Sequence, residues 1–188
     1  MAGTTGDEPS QFHFVTDVAQ ASDGRIFAGQ YGQIDQIQEF DPTGKFIRRW
    51  GSLGNEPMQF ARPQGLLFDK QGLLWVADAC NHRIQVFDVS SPKVELVKMF
   101  GSVGEEPGKL HYPYGLVFDS RGNLLIAEYG NHRVQKMSPA GESLAVWGSP
   151  GSEPGQFNSP WAITIDSQDR VYVLDTLNHR VQRFPASV

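Results

Sequence analysis

Three imidazoles, each followed by a guanidinium, recur in this chain at a spacing that invites a catalytic reading. The triplet Asn-His-Arg stands at Asn81-His82-Arg83, Asn131-His132-Arg133 and Asn178-His179-Arg180. Three His side chains are the ligand set of many catalytic zinc sites, which hold the metal about 2.1 Å from each nitrogen. Each His, however, opens a strand of its own repeat. Strands lie about 4.8 Å apart, so equivalent His residues of neighbouring repeats are expected more than roughly 10 Å from one another. That is too far for one ion, and no metal or cofactor is expected. Asp78, Glu128 and Asp175 each precede the triplet Arg by five residues. An acid ending one strand then faces an Arg starting the next, which reads as a cross-strand ion pair repeated as Asp78–Arg83, Glu128–Arg133 and Asp175–Arg180. On an exposed rim such a pair contributes about 0.2–1 kcal/mol. Acid–base catalysis needs two groups in different surroundings, and these three pairs are alike.

Binding is better sought where the copies differ. The segments leading into the first strand of each copy are His13-Phe14-Val15-Thr16, Ala61-Arg62-Pro63-Gln64, His111-Tyr112-Pro113-Tyr114 and Asn158-Ser159-Pro160-Trp161. Arg62, Gln64, His111, Tyr112, Tyr114 and Trp161 would give an aromatic, hydrogen-bonding mouth suited to a peptide or small molecule. The sequence contains no phosphate-cradling Gly loop, no Gly-x-Ser-x-Gly elbow and no His-Glu-x-x-His.

The elements that position these residues follow from a repeat. The triplets are spaced by 50 and 47 residues, and Gly51-Ser52, Gly101-Ser102 and Gly148-Ser149 run in step with them. Each Gly-Ser opens a Gly-x-x-Pro-x-x-Phe/Leu segment: Gly54, Pro57, Phe60; Gly104, Pro107, Leu110; Gly151, Pro154, Phe157; and faintly Gly6, Pro9, Phe12. Within a copy, apolar runs of four to seven residues bounded by Gly, Pro, Asn and Asp predict four antiparallel strands. In the third copy these are Tyr114–Asp119, Asn123–Glu128, His132–Ser138 and Glu142–Trp147. The second strands, with Leu74-Trp75-Val76, Leu124-Leu125-Ile126 and Val171-Tyr172-Val173, are apolar on both sides and so must be covered on both sides. Sheets stacked around an axis satisfy that requirement, which points to a β-propeller. The repeats divide a single 188-residue domain into blades at about 6–50, 54–100, 104–147 and 151–188. Fifteen strands are expected, the last blade lacking its outer one. Phe68 and Phe118, at the same place in their inner strands, are expected in the core.

Composition narrows the partners. Sixteen basic against 21 acidic residues give a net charge of −5, which disfavours a phosphate-neutralising surface. The single Cys80 has no intrachain disulfide partner. No apolar run reaches the roughly 20 residues that span a bilayer, and Met1–Ser10 lacks a signal peptide's features, so the sequence assigns no compartment.

The pattern Pro-x-Gly-Leu-x-Phe-Asp, Gly-x-Leu-x-Val-Ala-Asp, Asn-His-Arg-Ile-Gln-x-Phe resembles the NHL repeat. It runs through Pro63–Phe87, Pro113–Met137 and Pro160–Phe184. The first copy departs from it, reading Ile34-Asp35-Gln36 at the triplet. The resemblance implies an NHL-type propeller, and because similar proteins usually close six blades, four blades imply an open arc or fragment rather than a closed four-bladed ring. Homo-oligomerisation through the open end blades is a further expectation. Some NHL relatives are enzymes with a metal on the propeller axis, and others bind RNA through a basic face. Here only His13 and His111 lie outside the triplets, and the charge is acidic. The resulting expectation is a non-enzymatic binding or scaffold module for protein, peptide or small-molecule partners, part of a larger protein whose relatives include bacterial extracytoplasmic ones. An NHL-type enzyme (a metal-dependent lyase or hydrolase-like protein) or an RNA-binding domain is the alternative.

Overall fold

The computed structural model describes residues 3–186. These form β1 (Phe14–Gln20), β2 (Ile26–Tyr31), β3 (Gln36–Phe40), β4 (Phe46–Trp50), β5 (Pro63–Phe68), β6 (Leu74–Asp78), β7 (Arg83–Asp88), β8 (Glu95–Phe100), β9 (Pro113–Phe118), β10 (Leu124–Glu128), β11 (Arg133–Met137), β12 (Ser143–Trp147), β13 (Pro160–Ile165), β14 (Val171–Asp175) and β15 (Arg180–Phe184). Successive strands pair antiparallel into three four-stranded sheets, and β13–β15 form a three-stranded one. The fold is all-β, built of four antiparallel propeller blades. The chain divides into two compact units, one up to Met99 and one from Phe100, each holding two blades. No helix among the described residues is long and apolar enough to cross a membrane.

Local chemistry sets the turns. Between β5 and β6 the Asp69 carboxylate accepts the amides of Gln71 and Leu73, both at 2.9 Å, while Gly72 takes φ +83°. Asp119 and Gly122 repeat this turn in the third blade. In the fourth blade Asp169 stands in the left-handed position at φ +56°, and its carboxylate accepts the Ser120 amide of the preceding blade at 3.1 Å. The Gly-Ser marker also has a steric cause. The following loop makes a parallel bridge, Leu53 to Phe60 and Pro150 to Phe157, which buries both Phe rings completely. A Cβ on Gly51 (φ +99°) or Gly148 (φ +97°) would lie 2.5 Å from those rings. Only glycine fits both the backbone and the space.

Within each unit two sheets share a core. Ala19, Phe27 and Ile37 of the first blade pack on Leu66, Leu74, Val76 and Phe87 of the second. Leu125, Ala127 and Val134 of the third pack on Ile163, Val171 and Val173 of the fourth. Each Val, Leu, Ile or Phe among them contributes about 1.5–3 kcal/mol on burial. Phe68 and Phe118, expected in the core, are only half-buried. They end their strands beside the turn, and Phe68 meets Phe27 edge-on at 5.1 Å. The second strands of these blades, β6 and β10, are buried throughout. In β14 burial alternates instead, and Leu174 is exposed. β15 pairs only with β14; among the described residues no N-terminal strand completes the fourth sheet.

Candidate functional site

The acid–Arg pairs are heavily bonded features of the second, third and fourth blades. Asp78 Oδ2 accepts Arg83 Nε at 2.7 Å, Asn81 Nδ2 at 2.9 Å and Gln85 Nε2 at 3.0 Å, and Oδ1 accepts the Ala61 amide at 2.7 Å. The Arg83 fork then donates to the carbonyls of Asn55, Glu56 and Gln59 at 2.6–2.9 Å, which pins the Gly-x-x-Pro loop. Glu128–Arg133 and Asp175–Arg180 repeat the arrangement at 2.8 and 2.7 Å. These are not exposed rim pairs, as the hairpin spacing alone suggested. The three acids are wholly buried because the loop folds over them, and Arg83 is 8% exposed against 30% for Arg180. Loss of water is the largest influence on all three carboxyls. In Asp78 and Glu128 it prevails and pushes them up. In Asp175 of the end blade the hydrogen bonds prevail and lower it.

The triplet His has a separate task. His132 Nδ1 accepts the Ser159 amide at 3.0 Å, which latches the third blade to the start of the fourth. In the first blade Asp35 occupies the His position, and its carboxylate accepts the Arg62 amide at 2.5 Å. Both donors, Arg62 and Ser159, are held at positive φ (58° and 54°). The latch thus fixes the residues from which β5 and β13 start.

Those starting residues carry the candidate site. In the first unit Arg62 Nε donates to Gln64 Oε1 at 3.2 Å, and the guanidinium lies 4.8 Å over the Tyr31 ring. In the second unit His111 stacks on Tyr112 with centroids 4.7 Å apart. Tyr114 stacks on Tyr129 at 4.8 Å, and Trp161 meets both rings edge-on at 4.9 and 5.9 Å. A Cβ on Gly130 would lie 2.7 Å from the His111 ring and 2.9 Å from Tyr112, so the bare glycine makes room for that stack. The structure brings Arg62 to Gln64, His111 to Tyr112 and Tyr114 to Trp161. Tyr31, Asp35 and Tyr129 complete these groups and were missed in the sequence. The signal was there: Tyr31 and Tyr129 sit where the second and fourth copies have Ala79 and Thr176, a difference of the same kind that singled out Tyr114. Among the described residues no three His, Cys, Asp or Glu side chains are placed to hold a metal ion.

The NHL-repeat family model matches residues 60–87, 110–137 and 157–184. Over 88 residues the chain is 40% identical to the peptidyl-glycine alpha-amidating monooxygenase of Mus musculus, covering 44% of this chain and 9% of that protein. Over 85 residues it is 32% identical to a probable peptidyl-alpha-hydroxyglycine alpha-amidating lyase of Caenorhabditis elegans, covering 44% and 24%. The chain therefore spans less than a quarter of the length of these curated relatives. Among solved structures, a Bacteroides caccae protein of unknown function superimposes with a TM-score of 0.68 at 12% identity, over 92% of this chain and 63% of that one. Virginiamycin B lyase from Staphylococcus aureus gives 0.64 at 14%, over 93% and 56%. At such identities the likeness is one of fold. The expectation of a non-enzymatic module is corrected by the two curated relatives, which are named as enzymes.

Proposed function

Because the chain is an NHL-repeat protein, we propose that its blades belong to a catalytic propeller that acts on peptides ending in an α-hydroxyglycine and releases the peptide amide. The observation that carries this reading is the 40% and 32% identity to two proteins named for peptide amidation. The reaction breaks the bond from the amide nitrogen to the hydroxyl-bearing carbon. The O–H electrons form the new carbonyl, the proton passes to the nitrogen, and glyoxylate leaves, with no oxidant or water consumed. Such a substrate presents a carboxylate, which a guanidinium matches in charge and shape. Arg62, oriented by Gln64 and Tyr31, takes the carboxylate in this reading. This role has none of the repeat's threefold redundancy, which separates Arg62 from the acid–Arg pairs.

The test is incubation of the protein with an N-acyl-α-hydroxyglycine, with and without added divalent metal, and chromatography of the products. Equimolar glyoxylate and amide above the buffer blank are expected, and Arg62→Ala should lower kcat/KM about 10- to 100-fold, the worth of one charged hydrogen bond. No product above the blank in either condition overturns the reading.

A further inference from the structure

The two end blades carry the two halves of an interface that the chain makes inside each unit. In the first unit, Phe27, Gly29 and Ile37 form the face of the first blade that meets Leu66, Leu74, Val76 and Phe87 of the second. In the second, Leu125, Ala127 and Val134 form the face that meets Ile163, Val171 and Val173. The pairing register makes the correspondence strict: Gly29 lies opposite Ile37, Ala127 opposite Val134, and Leu174 opposite Val181. Leu174 and Val181 therefore belong to the donating face of the fourth blade. Ile37 and Val134 are 0% exposed, whereas Val181 is 61% and Leu174 45% exposed.

The first blade holds the matching receiving face, with Ala28 and Phe40 buried at its floor and Val15 and Val18 exposed at its rim. Ile26, Ala28 and Phe40 of the first blade occupy the register of Leu74, Val76 and Phe87. Together with Val18, which is 55% exposed, they line an apolar groove of about 560 Å³. Polar detail agrees. His179 is exposed, although its counterparts His132 and Asp35 each hold the amide of the following blade.

We infer that the fourth blade of one copy docks on the first blade of another, with Leu174 and Val181 entering the groove at Val18, Ile26, Ala28 and Phe40. The occupant is a second copy because this chain carries a matching donating face, in the same register as the faces that fill the grooves of the second and fourth blades. The contact is heterologous: its two sides are different surfaces, so it is repeated when copies associate.

Light scattering across a hundredfold dilution tests this on the whole chain. Val181→Asp and Val18→Asp place a charge on opposite sides of the contact, at positions exposed enough in one copy to leave its fold intact. The parent is expected above monomer mass at the highest concentration, and each variant is expected to be monomeric. Because each variant keeps the side that the other has lost, their mixture should form a one-to-one dimer. A strictly monomeric parent overturns the inference, as does association that survives either substitution. Two monomeric variants that fail to pair on mixing would show that the contact is not between these two faces.

Discussion

The first and second blades share one fold and one core, yet hold their loops by different chemistry. The second buries an ion pair, Asp78 with Arg83, inside a shell of amide and carbonyl partners. In the first blade the corresponding pair is Gln30 opposite Gln36. Gln30 Nε2 reaches the Ile34 carbonyl at 3.2 Å, Gln36 Nε2 is buried with no partner among the described residues, and the loop is held by Gln38, whose Nε2 donates to the Gln11 carbonyl at 2.6 Å and whose Oε1 accepts the Ser10 amide at 2.9 Å, and by Arg49 at the Asp7 carbonyl. The first blade compensates near its outer edge. Buried Glu39 binds Arg25 at 2.6 Å and Arg48 at 2.5 Å, and both guanidinium groups donate to the Val89 carbonyl of the second blade. The charge has moved from a clip within the blade to a tie between blades. The repeated motif is thus one solution to holding a loop, and a blade survives without it when neighbouring carbonyls are fixed in another way.

Removing one partner of the buried clip should have the largest effect. Asp78→Ala leaves the Arg83 charge buried and should cost about 3–5 kcal/mol in urea unfolding. The double change Asp78→Gln with Arg83→Gln copies the first blade and should cost less than the single one. A double variant as damaged as Asp78→Ala would mean that the two blades are not interchangeable at this site. Close behind is Phe60→Ala, which empties a fully buried ring site and should cost about 3–5 kcal/mol. Phe12→Ala, at the same position in the first blade but only half-buried, should cost less than half as much, and equal losses would remove the distinction. Gly51→Ala forces a Cβ against the Phe60 ring at positive φ and should lower stability by about 1–3 kcal/mol, whereas Gly44→Ala, with open space around it, should show only the backbone part of that loss.

The smallest effect is one of pH. Loss of water pushes the Asp166 carboxyl up, but hydrogen bonds from Arg170, Gln168 and Tyr172 outweigh it and hold the group at about 2. A lowered carboxyl adds stability above its ordinary value near 3.8 and loses that contribution as the pH falls towards about 2. Asp175, also lowered, has the same sign, whereas Asp78 and Glu128, pushed up, have the opposite one. Asp166→Asn should therefore lower the melting temperature at pH 5 and differ little from the parent at pH 2. A constant difference across that range would mean that the carboxylate does not matter.

The strands, their order and the missing sixteenth strand were legible because apolar runs and turn residues are local properties. The Gly-Ser marker was visible but not its cause, since Phe60 presses on Gly51 from nine residues away. The burial of Asp78 was illegible because the carbonyls that cover it belong to a loop some two dozen residues earlier. The His latch was hidden for a related reason: its donor lies in the next blade, and in the first blade an Asp does the same work. Of the candidate site, the differing aromatic positions could be found from sequence. Which rings touch could not, because Tyr129 and Trp161 are separated by 32 residues of ordinary blade.

The reach of the acid–Arg clip bears on how the chain is made. Arg83 grips carbonyls 24 to 28 residues before it and, among the described residues, nothing later in the chain. A contact of such short span closes with little loop entropy, the condition for quick folding. At a synthesis rate of about 5–20 residues per second, roughly 1–6 s separate the loop from the Arg that locks it. Each copy of the motif can thus be secured as it leaves the ribosome, before the next is complete, so the order of translation becomes the order of assembly.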